Sequence, residues 1–279
     1  MHKSLNLEDI SFINELINPP SQGEPYTSRK EEKPFLYEIV SNKTNGIDVD
    51  KWDYLARDSY YLGVQNNFDY RRSLKFARVI EVDGRKQICY RDKEVDNLYD
   101  MYQTRHCLHR RACQHRVCNA VELMITDAFV KADRMFKISE TIDDMEAFTK
   151  LTDKLFDEIL HSPDPELADA RKILQNITQR RFYKCVGETH AEHFSEEIKM
   201  DWGMGEDNPI DHVRFYNKQR IDNAFQIRQH QVSSLLPQRF SVKWIRVYSK
   251  KTDTVILDEA KRIFNQWCIA NRFPLLQVR

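Results

Sequence analysis

The chain is 279 residues long, enough for one large domain or two modest ones, and its 41% of hydrophobic residues suffice for a core. Its 43 basic and 43 acidic side chains cancel to a formal net charge of zero, which argues against a wholesale polyanion-binding surface but leaves local basic patches open. With seven glycines and neither a GxGxxG nor a Walker-type sequence, a glycine-rich phosphate cradle is excluded, so phosphate would be held by Lys, Arg and His side chains or by a cation.

Leu7 to Ile17 reads as a short amphipathic helix that Pro19-Pro20 ends. Residues 18–34, rich in Pro, Ser, Glu and Lys, form a loop, and a helix from Pro34 to Val40 leads into a turn at Gly46. Asp48 and Asp50 are N-cap candidates for the next helix, in which Asp50, Tyr54 and Asp58 share one face at i, i+4, i+8. That face offers a carboxylate for a cation, a phenol and a second carboxylate. Lys51 supplies a point charge for phosphate oxygens, while Trp52 and Leu55 turn to another side, suited to burial. Arg71 to Glu81 reads as helical or mixed. Val79 to Val82 and Lys86 to Tyr90 read as short strands joined by a hairpin at Asp83-Gly84.

One long helix is predicted from about Val95 to Ala132, its apolar positions Leu98, Met101, Tyr102, Leu108, Ala112, Val121, Met124, Ile125 and Phe129 recurring with helical period. Arg105, His109, Cys113 and Arg116 make a second stripe at i, i+4, i+8, i+11, so one helix could serve both core and ligand. Thr141-Ile142-Asp143-Asp144 has the form of a capping box opening a helix to about Leu160. Asp164-Pro165 starts another from Glu166 to about Arg180. Beyond Gly187, short strands around Ile210 to Tyr216 and Trp244 to Tyr248, with a final amphipathic helix carrying Val255, Ile263, Phe264 and Trp267, suggest a smaller lobe. The expected fold is mainly α, with a helical domain over residues 1–187 and a mixed α/β lobe over 188–279.

The six cysteines, Cys89, Cys107, Cys113, Cys118, Cys185 and Cys268, include no CxxC pair, and three fall in the long predicted helix at spacings that suit neither zinc nor a disulfide framework. Reduced thiols in an intracellular protein are expected. The N-terminus shows no apolar h-region and no stretch approaches the ~18 apolar residues of a membrane span, so no membrane partner is expected. By residue type alone, an Asp at a helix start is far more often a cap than a metal ligand. The basic stripe would be a solvated face or a nucleic-acid patch, His109 and His115 satisfied histidines, and Cys113 packing.

The run FLYEIVSNKTNGIDVDKWDYLARD, Phe35 to Asp58, is followed by LGVQNNFDYRR, RDKEVDNLYDMY and LHRRACQHRV, then by DDMEAFTKLTD, VGETH, NPIDHV, WIRVY and QWC. Together these closely resemble the sterile-alpha-motif and HD-domain deoxynucleoside triphosphate triphosphohydrolases over nearly the whole chain from about Ile10, a span too long for the chance match a lone motif can give. The resemblance implies the C-terminal part of an HD-domain helical core with the small lobe appended. It implies hydrolysis of a dNTP to deoxynucleoside and inorganic triphosphate, lowering cellular dNTP pools, with a divalent metal (Mg, Mn, Fe or Zn) polarising the phosphate while water attacks phosphorus. By position Asp50 inherits the last of four metal-ligand roles, and Lys51 and Arg105 the phosphate contacts. Tyr54, Asp58 and Gln114 would surround sugar and base, Asp58 accepting from the 3′-hydroxyl, with His109 on the active-site wall.

A second group falls where the family binds GTP and dNTP activators between subunits and assembles dimers into tetramers. It comprises Arg72, Arg91, Lys93, Asn97, His115, Arg116, Arg180, Lys184 and Lys218. Cations gathered at a subunit interface repel until polyphosphates lie between them, so assembly would depend on ligand. The implied location is the nucleus, with the cytoplasm as the alternative.

The family's other ligands, a His and a His-Asp pair, are expected before Ile10, and no His-Asp dipeptide occurs in the sequence. With Asp50 alone of four, the expectation is an N-terminally truncated and internally shortened relative that does not turn over substrate by itself. Cys113 stands where the family has a Tyr against the substrate. By the resemblance, the stretch between His190 and Trp202 and the segment before Ile138 are expected to be shorter than in the relatives, and the family's phosphorylated tail is expected to have no counterpart after Arg279. A non-catalytic nucleotide-binding or oligomerisation module and a single-stranded nucleic-acid binder remain as alternatives.

Overall fold

The computed structural model describes residues 5–20, 26–28, 33–190, 198–233 and 236–276. Its elements run α1 (Leu7–Ile17), α2 (Val49–Leu62), α3 (Tyr70–Lys75), β1 (Arg78–Val82), β2 (Arg85–Arg91), α4 (Val95–Leu108), α5 (Arg116–Phe136) and α6 (Met145–Phe148). There follow α7 (Lys154–His161), α8 (Ala168–Thr178), β3 (Lys184–His190), β4 (Ile198–Asp201), β5 (Phe215–Tyr216), α9 (Gln229–Val232), β6 (Ser241–Ser249) and α10 (Thr254–Ala270). The chain is mainly α with short strands, and divides into two units: Met1–Ala112 with Lys199–Val242, and Cys113–Ile198 with Lys243–Arg279. Residue 187, where the sequence suggests a change of lobe, lies inside β3 of the second unit.

In the first unit the segment before α2 is a knot of buried amides. Asn42 donates to the Asn45 side chain (2.7 Å) and to the Ile47 carbonyl (3.2 Å), and Gly46 turns the chain with a φ of 68°. This delivers Asp48 as the N-cap of α2, where its carboxylate accepts from the Lys51 and Asn42 amides, both at 3.0 Å. Trp52 and Leu55 are buried as their spacing predicts, and the Trp52 indole N–H points at Met101 Sδ (3.2 Å), seating α2 on α4. The expected helix at Pro34 is a 3₁₀ turn, Pro34–Glu38. Arg71 to Glu81 resolves into α3 and then β1, which pairs with β2 across a turn whose two residues, Asp83 and Gly84, have φ of 53° and 78°. β2 also pairs in parallel with β5, Tyr90 opposite Phe215; the strand expected over Ile210 to Tyr216 shrinks to that pair, because Pro209–His212 forms a 3₁₀ turn.

The single helix predicted from Val95 to Ala132 is a correction: α4 stops at Leu108, His109–Cys113 forms a π turn, and α5 restarts at Arg116 with His115 as its cap. Leu108 and Asn119 are buried but nothing between them is, so no apolar anchor holds the α-helical phase through HRRACQHRV. The helix expected from Thr141 to Leu160 also breaks, into a 3₁₀ turn, the short α6 capped by Asp144, and α7. Thr149 ends α6 with its hydroxyl bonded back to the Glu146 carbonyl (2.8 Å), the competition with the backbone that Thr brings to helices.

The core of the second unit gathers Ala128 and Ala132 of α5, Leu155 and Ile159 of α7, and Leu167, Ala170 and Leu174 at and within α8. β3 pairs antiparallel with β6, from Lys184 opposite Ser249 to His190 opposite Trp244. α10 lies so close on β3 that a methyl group at Gly187 would come within 2.1 Å of the Phe264 ring. None of the six cysteines is in a disulfide, and no helix among the described residues is long and apolar enough to cross a membrane. Of the stretch expected to be shortened, residues 191–197 lie outside the described residues.

Candidate functional site

The first unit brings two cations, a phenol and an imidazole onto adjoining elements. α2 carries Asp50, Lys51, Tyr54 and Asp58; α4 carries Arg105, and the π turn that ends it carries His109. Tyr102 ties α4 to the turn before α2 by donating to the Asn45 carbonyl at 2.6 Å. The Lys51 ammonium, mostly buried along its stem, lies 3.7 Å from the Asp48 carboxylate. Arg105 is 18% exposed, and its Nη1 donates to Oδ1 of Asp201 at 2.6 Å and to the Asp201 carbonyl at 2.5 Å. The Gly203 amide closes on the same Oδ1 at 2.8 Å, and Trp202 stacks near the His106 ring at 6.1 Å between centroids.

Electrostatics set the protonation of the two rings. Burial pushes the Tyr54 phenol up to about 12, against the charge and hydrogen bond of Arg105 and with a small addition from Asp48 and Asp50, so it is a donor at neutral pH. Burial takes His109 down to about 4, reinforced by the Arg105, His106 and Lys51 charges and opposed by Asp201. Its ring centre is 6.4 Å from that of Tyr54. A neutral imidazole there gives one donor and one acceptor and adds no positive charge.

Lys51, Tyr54, Arg105 and His109 are thus brought together, with Asp50 exposed at the start of α2 and Asp58 half-buried two turns along it. Gln114 belongs to the second unit, where its amide accepts from Asn119 and its carbonyl from Arg246. Among the described residues no group of three or more His, Cys, Asp or Glu side chains could hold a metal ion, so the described residues do not fit the cation that the resemblance implies for Asp50.

The residues assigned to activator binding are spread over both units. In the first, Arg72 pairs with the fully buried Glu94 at 2.6 Å, and Asn97 donates to the Asp69 carbonyl at 2.9 Å and to the Ser73 hydroxyl at 3.0 Å. The Arg72 and Arg91 guanidiniums stand 5.7 and 5.2 Å from the Phe76 ring centre, and the buried Arg91 Nε, 4.0 Å from the Asp92 carboxylate, has no hydrogen-bond partner among the described residues. Lys93 and Lys218 are exposed. In the second unit His115 caps α5, Arg116 is half-buried, and Arg180 and Lys184 are exposed.

Asp201, Trp202 and His106 do not stand out in the sequence reading. A signal was available, since Gly203 and Gly205 are two of only seven glycines and sit within the short run DWGMG.

No protein-family model matches the chain. It is 51% identical over 324 aligned positions to the deoxynucleoside triphosphate triphosphohydrolase SAMHD1 of Danio rerio, covering 98% of this chain and 52% of that protein. The SAMHD1 of Homo sapiens is 50% identical over 316 positions, covering 95% and 50%. A putative HD domain-containing protein, L394 of Acanthamoeba polyphaga mimivirus, is 32% identical over 308 positions, covering 95% and 64%. The chain spans about half the length of the curated SAMHD1 relatives it matches. The 324 aligned positions exceed the chain's 279 residues, so the matched part of the Danio rerio protein carries internal residues that have no counterpart here.

Proposed function

Because this chain is a homologue of the deoxynucleoside triphosphate triphosphohydrolases over nearly its whole length, we propose that it holds the nucleotide in the cleavage of a dNTP to deoxynucleoside and inorganic triphosphate. The observation that carries this reading is the meeting of Lys51 and Arg105, from α2 and α4, beside a protonated Tyr54 and a neutral His109. Arg105 offers a planar fork of donors to phosphate oxygens and Lys51 a compact charge. Tyr54 donates toward the sugar or phosphate, Asp58 accepts from a 3′-hydroxyl, and His109 walls the site.

The divalent metal is a different matter. Asp50 is the one ligand that the resemblance assigns to this chain, and the described residues do not complete a set around it, so no step is derived through a metal. The reading is of nucleotide capture, and no turnover is proposed for the described residues. Equilibrium dialysis of dGTP against the chain, with and without Mg or Mn, tests it alongside an assay for released inorganic triphosphate. Binding weakened at least about tenfold by Lys51→Ala and by Arg105→Ala, without triphosphate release, is expected. Absence of dGTP binding overturns the reading; turnover that Asp50→Ala abolishes overturns its metal clause.

We also propose that Arg72, Arg91, Lys93, Asn97 and Lys218 of the first unit, and separately His115, Arg116, Arg180 and Lys184 of the second, contact GTP or dNTP activators. Support comes from the two guanidiniums beside Phe76 and the Arg91 Nε, which has no hydrogen bond among the described residues beyond its 4.0 Å ion pair with Asp92. Nucleotide between subunits would drive a dimer or tetramer. Size-exclusion chromatography with GTP and dATP should show a larger assembly; an unchanged elution volume would remove this part.

A further inference from the structure

Each cation of the proposed phosphate site already has a carboxylate: Lys51 has Asp48 and Arg105 has Asp201. The two carboxylates are not equally committed. Asp48 is 6% exposed and caps α2, with one oxygen on the Lys51 amide and the other on the Asn42 amide; moving it would undo the helix start. Among the described residues Asp201 has the Gly203 amide as its one backbone donor, beside Arg105 and a Lys199 ammonium at 3.9 Å. It also opens a short run in which Gly203 and Gly205 have φ of 108° and 66°, a backbone free to change conformation as no other residue type would allow.

The run covers both cations. A methyl group at Gly203 would lie 3.6 Å from Arg105 Cδ, 3.6 Å from the Tyr102 ring and 3.7 Å from Lys51 Cε, so this backbone rests on the stems of Arg105 and Lys51. On the other side it meets the turn before α2, since a methyl group at Gly46 would lie 3.4 Å from Met204 Sδ and 3.5 Å from the Gly203 carbonyl. Nη1 of Arg105 has two N–H donors, and the Asp201 side chain and carbonyl take both. A phosphate group cannot have those donors while Asp201 keeps them.

We propose that Asp201 acts as an internal anion in the phosphate seat of Arg105, and that residues 201–205 form a strap which an incoming polyphosphate displaces. The inference rests on the reading of Lys51 and Arg105 as phosphate contacts and adds a regulatory consequence to it. The strap lowers apparent affinity in proportion to the fraction of molecules in which it is closed. It also selects by charge, because a ligand with several phosphate charges outcompetes one carboxylate where a monoanion does not.

The probe is inorganic tripolyphosphate in metal-free buffer with chelator, titrated by calorimetry. Asp201→Asn keeps an oxygen for the Gly203 amide and for Arg105 but removes the competing charge, and should bind tripolyphosphate about tenfold more tightly than the unaltered chain. Equal or weaker binding by Asp201→Asn with an unchanged melting temperature overturns the strap. Hydrogen exchange on the unaltered chain decides the matter if that variant folds poorly. Saturating tripolyphosphate should speed exchange of the Gly203 amide, which loses its acceptor, and binding without that change overturns the strap while leaving the phosphate contacts standing. If neither protein binds tripolyphosphate, the phosphate reading falls with the strap.

Discussion

Glu38 gives a prediction whose size follows from the structure. The residue is 5% exposed in the 3₁₀ turn before α2, and its Oε2 accepts the Ile88 amide of β2 at 2.7 Å. Burial raises its carboxyl from 4.5 to about 7, although the Ile88 hydrogen bond and the Arg85 charge act the other way. A raised acid holds its proton in the folded chain after the unfolded chain has released it. The associated stability is fully present below about 4.5 and is lost as pH rises through about 7. Each pKa unit is about 1.4 kcal/mol, so the loss is on the order of 3 kcal/mol. Glu38→Gln keeps an acceptor for Ile88 and removes the titration. Urea unfolding from pH 4.5 to 8.5 should therefore show the variant gaining about 3 kcal/mol on the parent across that window. Parallel profiles for the two proteins would refute the reasoning.

Other substitutions probe the packing and pairing around the proposed sites. Gly187→Ala drives a methyl group into the Phe264 ring and should destabilise by about 1–3 kcal/mol in urea, with partial recovery in Gly187→Ala/Phe264→Leu; an unchanged midpoint would contradict the close approach. Arg72→Ala leaves the buried Glu94 carboxylate short of its strongest donor and should cost about 1–3 kcal/mol, regained in part by Arg72→Ala/Glu94→Gln; equal stability of all three proteins would deny the pair a role. Asp48→Ala removes the α2 cap, costing about 0.5–2 kcal/mol by thermal unfolding, and frees Lys51 from its partner; no loss would show the cap idle.

What could be read from the sequence was local chemistry. α1 ends before Pro19, α2 opens at Asp48 and buries Trp52 and Leu55, and the hairpin turns at Asp83-Gly84, because cap, period and turn residues each act within a few positions. The break at His109–Cys113 was hidden because Leu108 and Ala112 keep an i, i+4 spacing into it, and only burial shows that nothing anchors the interval. Thr149 and Thr152 hid the break before α7 in the same way, being tolerable in a helix yet ready to bond the backbone. Asp201 was beyond reach for another reason. Its partner Arg105 is 96 residues away, and no period or spacing links a carboxylate in a glycine run to a distant guanidinium. Lys51, Tyr54 and Arg105 were nameable from family resemblance; that each cation already carries a carboxylate was not.

The central claim is that the α2–α4 face takes phosphate through Lys51 and Arg105. Phosphorus NMR of dGTP titrated with the chain in metal-free buffer tests it without requiring turnover. The account predicts shifted or broadened phosphate resonances that Lys51→Ala/Arg105→Ala abolishes; resonances that the unaltered chain leaves untouched, or that the double variant perturbs equally, would contradict it.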